Sequence, residues 1–71
     1  MAAGTITWFD EGQGYGYITQ DHGDAPVVVH GRDLWDAGRP VVVGDRVEFA
    51  LDRGVAGAEA SGVRVIGASA S

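Results

Sequence analysis

Within Gly14-Tyr15-Gly16-Tyr17-Ile18 the aromatic residues alternate with glycine and then isoleucine. In an extended strand successive side chains point to opposite faces, so Tyr15 and Tyr17 share one face while Gly14, Gly16 and Ile18 share the other. Glycine inside a strand weakens it and offers nothing to pack. Its repetition here therefore points to close backbone approach or strong bending, as in a small barrel. Two flat rings side by side on a tightly curved sheet form a platform on which bases can stack.

The rest of the chain reads as short strands and turns, with no segment patterned as a helix. Residues 3 to 10 and 15 to 20 form two strands joined by Glu11-Gly12-Gln13-Gly14. After the polar break Asp21-His22-Gly23-Asp24, a β-branched third strand runs from Val27 to His30, entered from Pro26 where a proline is tolerated. Residues 31 to 44 make a long irregular connection, with one short helical turn expected at 32 to 35. In the fourth strand Val47, Phe49 and Leu51 alternate with Arg46, Glu48, Ala50 and Asp52, the apolar set facing inward. Residues 54 to 58 form a Gly/Ala loop, and Val63, Val65 and Ile66 anchor a fifth strand. This pattern predicts an all-β, five-stranded antiparallel barrel, because closure removes the edges that a lone sheet would expose. One domain is expected over residues 1 to 67, with 68 to 71 as a short flexible tail.

At 71 residues without cysteine, the chain has neither a disulfide nor a thiolate metal site to supplement a small core. Cysteine nucleophiles are excluded on the same ground. No apolar run approaches the roughly 20 residues that span a bilayer. No basic segment leads into an apolar stretch at the start, and a soluble cytoplasmic protein with no membrane partner is expected. Ten acidic residues against five arginines give a formal charge of −5, opposite to the basic excess usual in nucleic-acid-binding domains. Fields are local, however, and a neutral or weakly basic face can coexist with carboxylates on the far side.

Two motifs carry a family resemblance. Gly14-Tyr15-Gly16-Tyr17-Ile18 resembles the first ribonucleoprotein motif of bacterial cold-shock proteins and Val27-Val28-Val29-His30 the second, and Gly4-Thr5-Ile6-Thr7-Trp8-Phe9-Asp10 ahead of them is also similar to the family. Their order and separation, with Gly44 and Val47-Glu48-Phe49 downstream, make the chain similar to a single cold-shock domain from residue 4 to 66. The resemblance implies an oligonucleotide/oligosaccharide-binding (OB) barrel. It also implies a nucleic-acid face built from Trp8, Phe9, Tyr15, Tyr17 and His30, bordered by Asp10 and Gln13.

Departures from the family pattern thin that face. Thr7 and Gln13 stand where the family commonly has lysine, Val28 replaces the phenylalanine of the second motif, and Gly31 replaces an aromatic after the histidine. Each phosphate contact on a single strand contributes a salt slope of about 0.7, so two fewer cations should flatten the salt dependence. Trp35, in the long connection, has two readings. It either stacks on a base in place of the missing rings, flanked by Arg32 and Arg39, or caps one end of the barrel with Leu34. Trp8 is likewise divided: strict alternation places it with Ile6 on the core side, whereas the resemblance places it on the binding face.

Catalytic readings find no support. Asp21-His22-Gly23-Asp24 reads as a polar turn without a third convergent ligand, so no metal or other cofactor is expected. The glycine-rich run lacks the Gly-Lys-Ser/Thr ending of a phosphate loop, and Ser61 has no base to activate it. An enzyme acting on a small-molecule substrate is therefore not expected. Two functions remain. One is a single-stranded RNA- or DNA-binding module of low sequence specificity, which by resemblance is an RNA chaperone or a regulator of transcription or translation. The other is a protein-interaction domain on the same scaffold, in which Val41-Val42-Val43 and Val28 form an exposed patch for a partner or a weak homodimer.

Overall fold

The computed structural model describes residues 2–23, 25–36, 39–54 and 57–67, with the backbone alone for residues 35, 36 and 39. The strands are β1 (Ala2–Asp10), β2 (Tyr15–Gln20), β3 (Val27–His30), β4 (Trp35–Asp36), β5 (Arg39–Pro40), β6 (Arg46–Gly54) and β7 (Gly57–Gly67). Five of them close into a barrel in the order β1-β2-β3-β7-β6, while β4 and β5 pair as a minimal ribbon within the long connection. Every ladder of the barrel is antiparallel except the β3–β7 junction, a parallel contact in which Val28 lies opposite Glu59.

The alternating apolar residues fill this barrel as their period requires. Ile6, Ile18, Val27, Val29, Val47 and Phe49 are fully enclosed, and Leu34, Val41, Ala60 and Val63 complete the core. Enclosing a side chain of this size stabilises the fold by about 1.5–3 kcal/mol. Phe49 is the largest of them.

Asp45 is the buried polar residue among the described positions, and it fastens the end of the long connection to β1. Its Oδ2 accepts from the Val42 N–H at 3.0 Å, and its backbone carbonyl accepts from the Ile6 N–H at 3.0 Å. The Gly44 N–H in turn donates to the Ile6 carbonyl at 2.8 Å. On the surface, the Arg46 guanidinium donates to both oxygens of Asp21 at 2.5 and 2.6 Å, joining the start of β6 to the turn after β2.

Several sequence expectations are refined. The short helical turn is a 3-10 turn over Gly31–Asp33, closed by the Leu34 N–H donating to the Gly31 carbonyl at 3.0 Å. The fifth barrel strand begins at Gly57, well before Val63, because β6 and β7 continue as a hairpin to the Gly54–Gly57 pair. Leu51 keeps the side of β6 expected of it but is 48% exposed. It lies past Phe49–Ala2, the last pair between β6 and β1, so β1 does not cover it. The expected valine patch does not form as one surface. Val41 is in the core, Val42 and Val43 are exposed beside Phe9 and Leu34, and Val28 lines a different groove with Tyr15, Tyr17 and His30.

Candidate nucleic-acid interface

The outward face of β1 to β3 is organised by a break in the β1 ladder. Ile6 pairs with Ile18, but the next pair is Trp8 with Tyr17, so β1 spends two residues where β2 spends one. Such a bulge reverses the parity of the strand beyond it. Trp8 therefore leaves the side of Ile6 and stands 41% exposed beside the tyrosines. Gly16 makes the close approach possible. A Cβ at that position would meet the Trp8 carbonyl oxygen at 2.5 Å and the Phe9 ring at 3.0 Å.

The rings then form one cluster. The Trp8 and Tyr17 centroids are 5.3 Å apart with planes at 38°, Trp8 and Tyr15 are 5.4 Å apart, and Tyr15 and Tyr17 are 5.9 Å apart in an edge-to-face arrangement. These separations suit favourable ring–ring contact. Ring faces not consumed in such contacts remain available to flat ligands.

Cross-strand pairing extends the cluster into two rows. In one, Trp8 is followed by Tyr17, Val28 and Glu59 across β1, β2, β3 and β7. In the other, Asp10 is followed by Tyr15 and His30. His30 Nε2 approaches Glu59 Oε1 at 3.8 Å, both side chains being partly exposed.

The remaining positions named from the sequence surround these rows. Phe9 is half-buried and packs against the core while lining a neighbouring groove with Leu34, Val42 and Val43. Thr7, at the bulge, shares a hydrogen bond with the Thr19 hydroxyl at 3.0 Å. Asp10 Oδ1 accepts from the Gln13 N–H at 3.1 Å and so holds the β1–β2 turn, leaving the Gln13 side chain exposed. Val28 occupies the place between Tyr17 and Glu59, where an aromatic would have continued the platform. The side chains of Trp35 and Arg39 lie outside the described residues, as does Asp24 of the polar turn. Asp21 of that turn is engaged by Arg46, whose hydrogen bonds hold its carboxyl below the usual aspartate range against the opposing effect of desolvation.

Glu59 was not legible as a site residue. Counting back from buried Val63 by twos places residues 61 and 59 inward, but β7 carries its own irregularity. Glu48 pairs with Arg64 and Ala50 with Ser61, an extra residue on β7 spanning Gly62, which has a φ of 59°. Ala60 thus becomes the buried residue and Glu59 turns outward. The positive φ favours glycine, and Gly62 is the one local signal in the sequence.

A closed five-stranded barrel with this strand order is an OB-fold barrel. The family model described as "'Cold-shock' DNA-binding domain" matches residues 2–66. The chain is 42% identical over 67 residues to a cold shock-like protein CspA of Stigmatella aurantiaca, covering 93% of this chain and 98% of that one. It is 41% identical over 61 residues to a cold shock-like protein CspA of Shewanella violacea, covering 84% and 87% respectively. A solved structure described as drosophila Unr CSD456 superposes with a TM-score of 0.79 at 21% identity, over 99% of this chain and 28% of that chain, a likeness of fold. The chain belongs to the cold-shock domain family, whose members bind nucleic acids and are not enzymes as a family.

Proposed function

We propose that this chain binds single-stranded RNA or DNA with low sequence specificity on the outward face of β1 to β3. In the cytoplasm it would act as an RNA chaperone or as a regulator of transcription or translation. The observation that carries this reading is the cluster of Trp8, Tyr15 and Tyr17, held outward by the β1 bulge. Every base has a π-face, so stacking on such rings contributes about 1–3 kcal/mol per base and tolerates sequence. Binding of unpaired strands opposes their return to hairpins by mass action and needs no nucleotide hydrolysis. His30 supplies a further ring, and Asp10, Gln13, Thr7 and Val28 form the border.

The thinned set of cations makes the interaction depend more on stacking than on phosphate contacts. Arg46 is engaged by Asp21, and Arg64 lies opposite Glu48 in the β6–β7 ladder. The interaction-domain reading retains Val42 and Val43, 47% and 51% exposed, without the wider patch expected of it. Titration of tryptophan fluorescence with oligo-dT and oligo-U at two salt concentrations tests the proposal. Quenching with a shallow salt dependence is expected, and an unchanged signal at high micromolar strand would favour the interaction reading.

A further inference from the structure

Glu59 ends the row Trp8–Tyr17–Val28 and lines the groove formed by Tyr15, Tyr17, Val28 and His30. Its side chain is 26% exposed, and among the described residues its neighbour of opposite charge type is His30, at 3.8 Å. That separation is too long for a hydrogen bond, so His30 leaves the carboxylate lone pairs unsatisfied on this side. Asp52, the cross-strand partner of Glu59, accepts from the Ser61 hydroxyl at 2.7 Å. Like charges directly opposite one another repel, which favours a Glu59 carboxylate turned toward His30 and the groove.

Gly54 makes room for this placement. A Cβ there would collide with the Glu59 carboxylate carbon and both of its oxygens. The carboxylate therefore lies over the bare backbone of Gly54, beside a groove lined by the rings of Tyr15, Tyr17 and His30, by Val28, and by Gln13 and Gly14 of the β1–β2 turn.

An ionised carboxylate only accepts hydrogen bonds. Unpaired bases expose their Watson–Crick edges to a protein surface, and those edges differ in what they offer. Guanine presents an adjacent imino N–H and amino group, which can donate together to the two carboxylate oxygens. Cytosine and adenine offer one amino group beside an acceptor, whereas uracil and thymine place a lone N–H between two carbonyl oxygens that repel a carboxylate. Building on the stacking function proposed above, we infer that Glu59 reads the edge of one stacked base and selects guanine there over uracil or thymine. The remaining positions on the platform stay sequence-tolerant. The same negative charge directs phosphates away from β7, fixing which side of the strand faces it.

The test compares a thymine heptamer with the same heptamer carrying one central guanine, bound to the parent, to Glu59→Gln and to Gly54→Ala, each checked for folding by circular dichroism. The parent should bind the guanine heptamer at least about fivefold more tightly, a modest share of the discrimination available to a paired side chain and base. Glu59→Gln should bring the ratio near one while retaining affinity for the thymine strand, because the amide both donates and accepts. Gly54→Ala keeps the charge but displaces it, and should also lower the ratio. Equal parent affinities for the two strands, or an unchanged ratio in either variant, would overturn the assignment of Glu59. Binding of neither strand by the parent would instead overturn the stacking function on which it rests.

Discussion

Trp8 and Tyr17 are cross-strand partners whose ring centroids lie 5.3 Å apart, and they face the same way because β1 spends an extra residue between Ile6 and Trp8. One bulge therefore decides whether the indole joins the core or the surface. A core aromatic truncated to alanine loses about 3–5 kcal/mol of stability. Trp8→Ala should lose much less than that in a denaturant titration, while weakening single-strand binding by about 1–3 kcal/mol. A large stability loss with parent-like affinity would return Trp8 to the core.

Tyr15→Ala and Tyr17→Ala should each weaken binding of an oligo-dT strand by about 1–3 kcal/mol and leave the barrel folded, since each removes a ring from the outward face. Affinity and circular dichroism measured on the same samples check this. Parent-like binding by both folded variants would mean that the strand lies elsewhere.

The fold was legible wherever side-chain parity runs unbroken. Ile6, Val47 and Phe49 alternate with polar or small neighbours and reach the core, as does Ile18 on the side opposite Tyr15 and Tyr17. Parity fails where a bulge intervenes, and a bulge is set by how two strands fit together rather than by the residues of one. Thr7 gives no local sign of the break beside it, so the sequence alone leaves Trp8 between core and surface. Gly62 gives only a weak sign in β7, too little to turn Glu59 outward on sequence alone. The parallel β3–β7 junction brings residues 28 and 59 together through closure of the barrel, which no local pattern encodes.

Restoring lysine at Thr7 and Gln13 should tighten binding to all sequences alike and steepen the salt dependence by about 0.7 for each additional phosphate that a lysine meets. Both side chains are exposed at the margin of the ring cluster. Affinities of Thr7→Lys/Gln13→Lys across a salt series test this, and an unchanged slope would mean that the phosphates pass along another edge.

The Asp21–Arg46 pair links stability to pH. The folded-state pKa of Asp21 is depressed, first by hydrogen bonding from Arg46 and further by the charges of Arg46 and His22. A carboxyl of this kind adds stability above the ordinary aspartate value of about 3.9, and that contribution is lost as pH falls through the lower folded value. Asp21→Asn should therefore melt below the parent at neutral pH and low salt, and the gap should close on acidification. Both side chains are partly exposed, so added salt should narrow the gap as well. A gap that persists in strong acid would show that the asparagine acts through the turn itself.

On the function proposed above, a single strand binds the outward rings of β1 and β2 together with His30 of β3. A nitrogen–proton NMR titration of the labelled chain with oligo-dT checks this placement, since each backbone amide and the Trp8 indole N–H report separately. The largest shifts should fall on the Trp8 indole and on the amides of Tyr15, Tyr17, Val28 and His30. Shifts concentrated instead on Val42 and Val43, or on Glu48 and Arg64 of the β6–β7 ladder, with the ring cluster unmoved, would mean that the strand binds elsewhere.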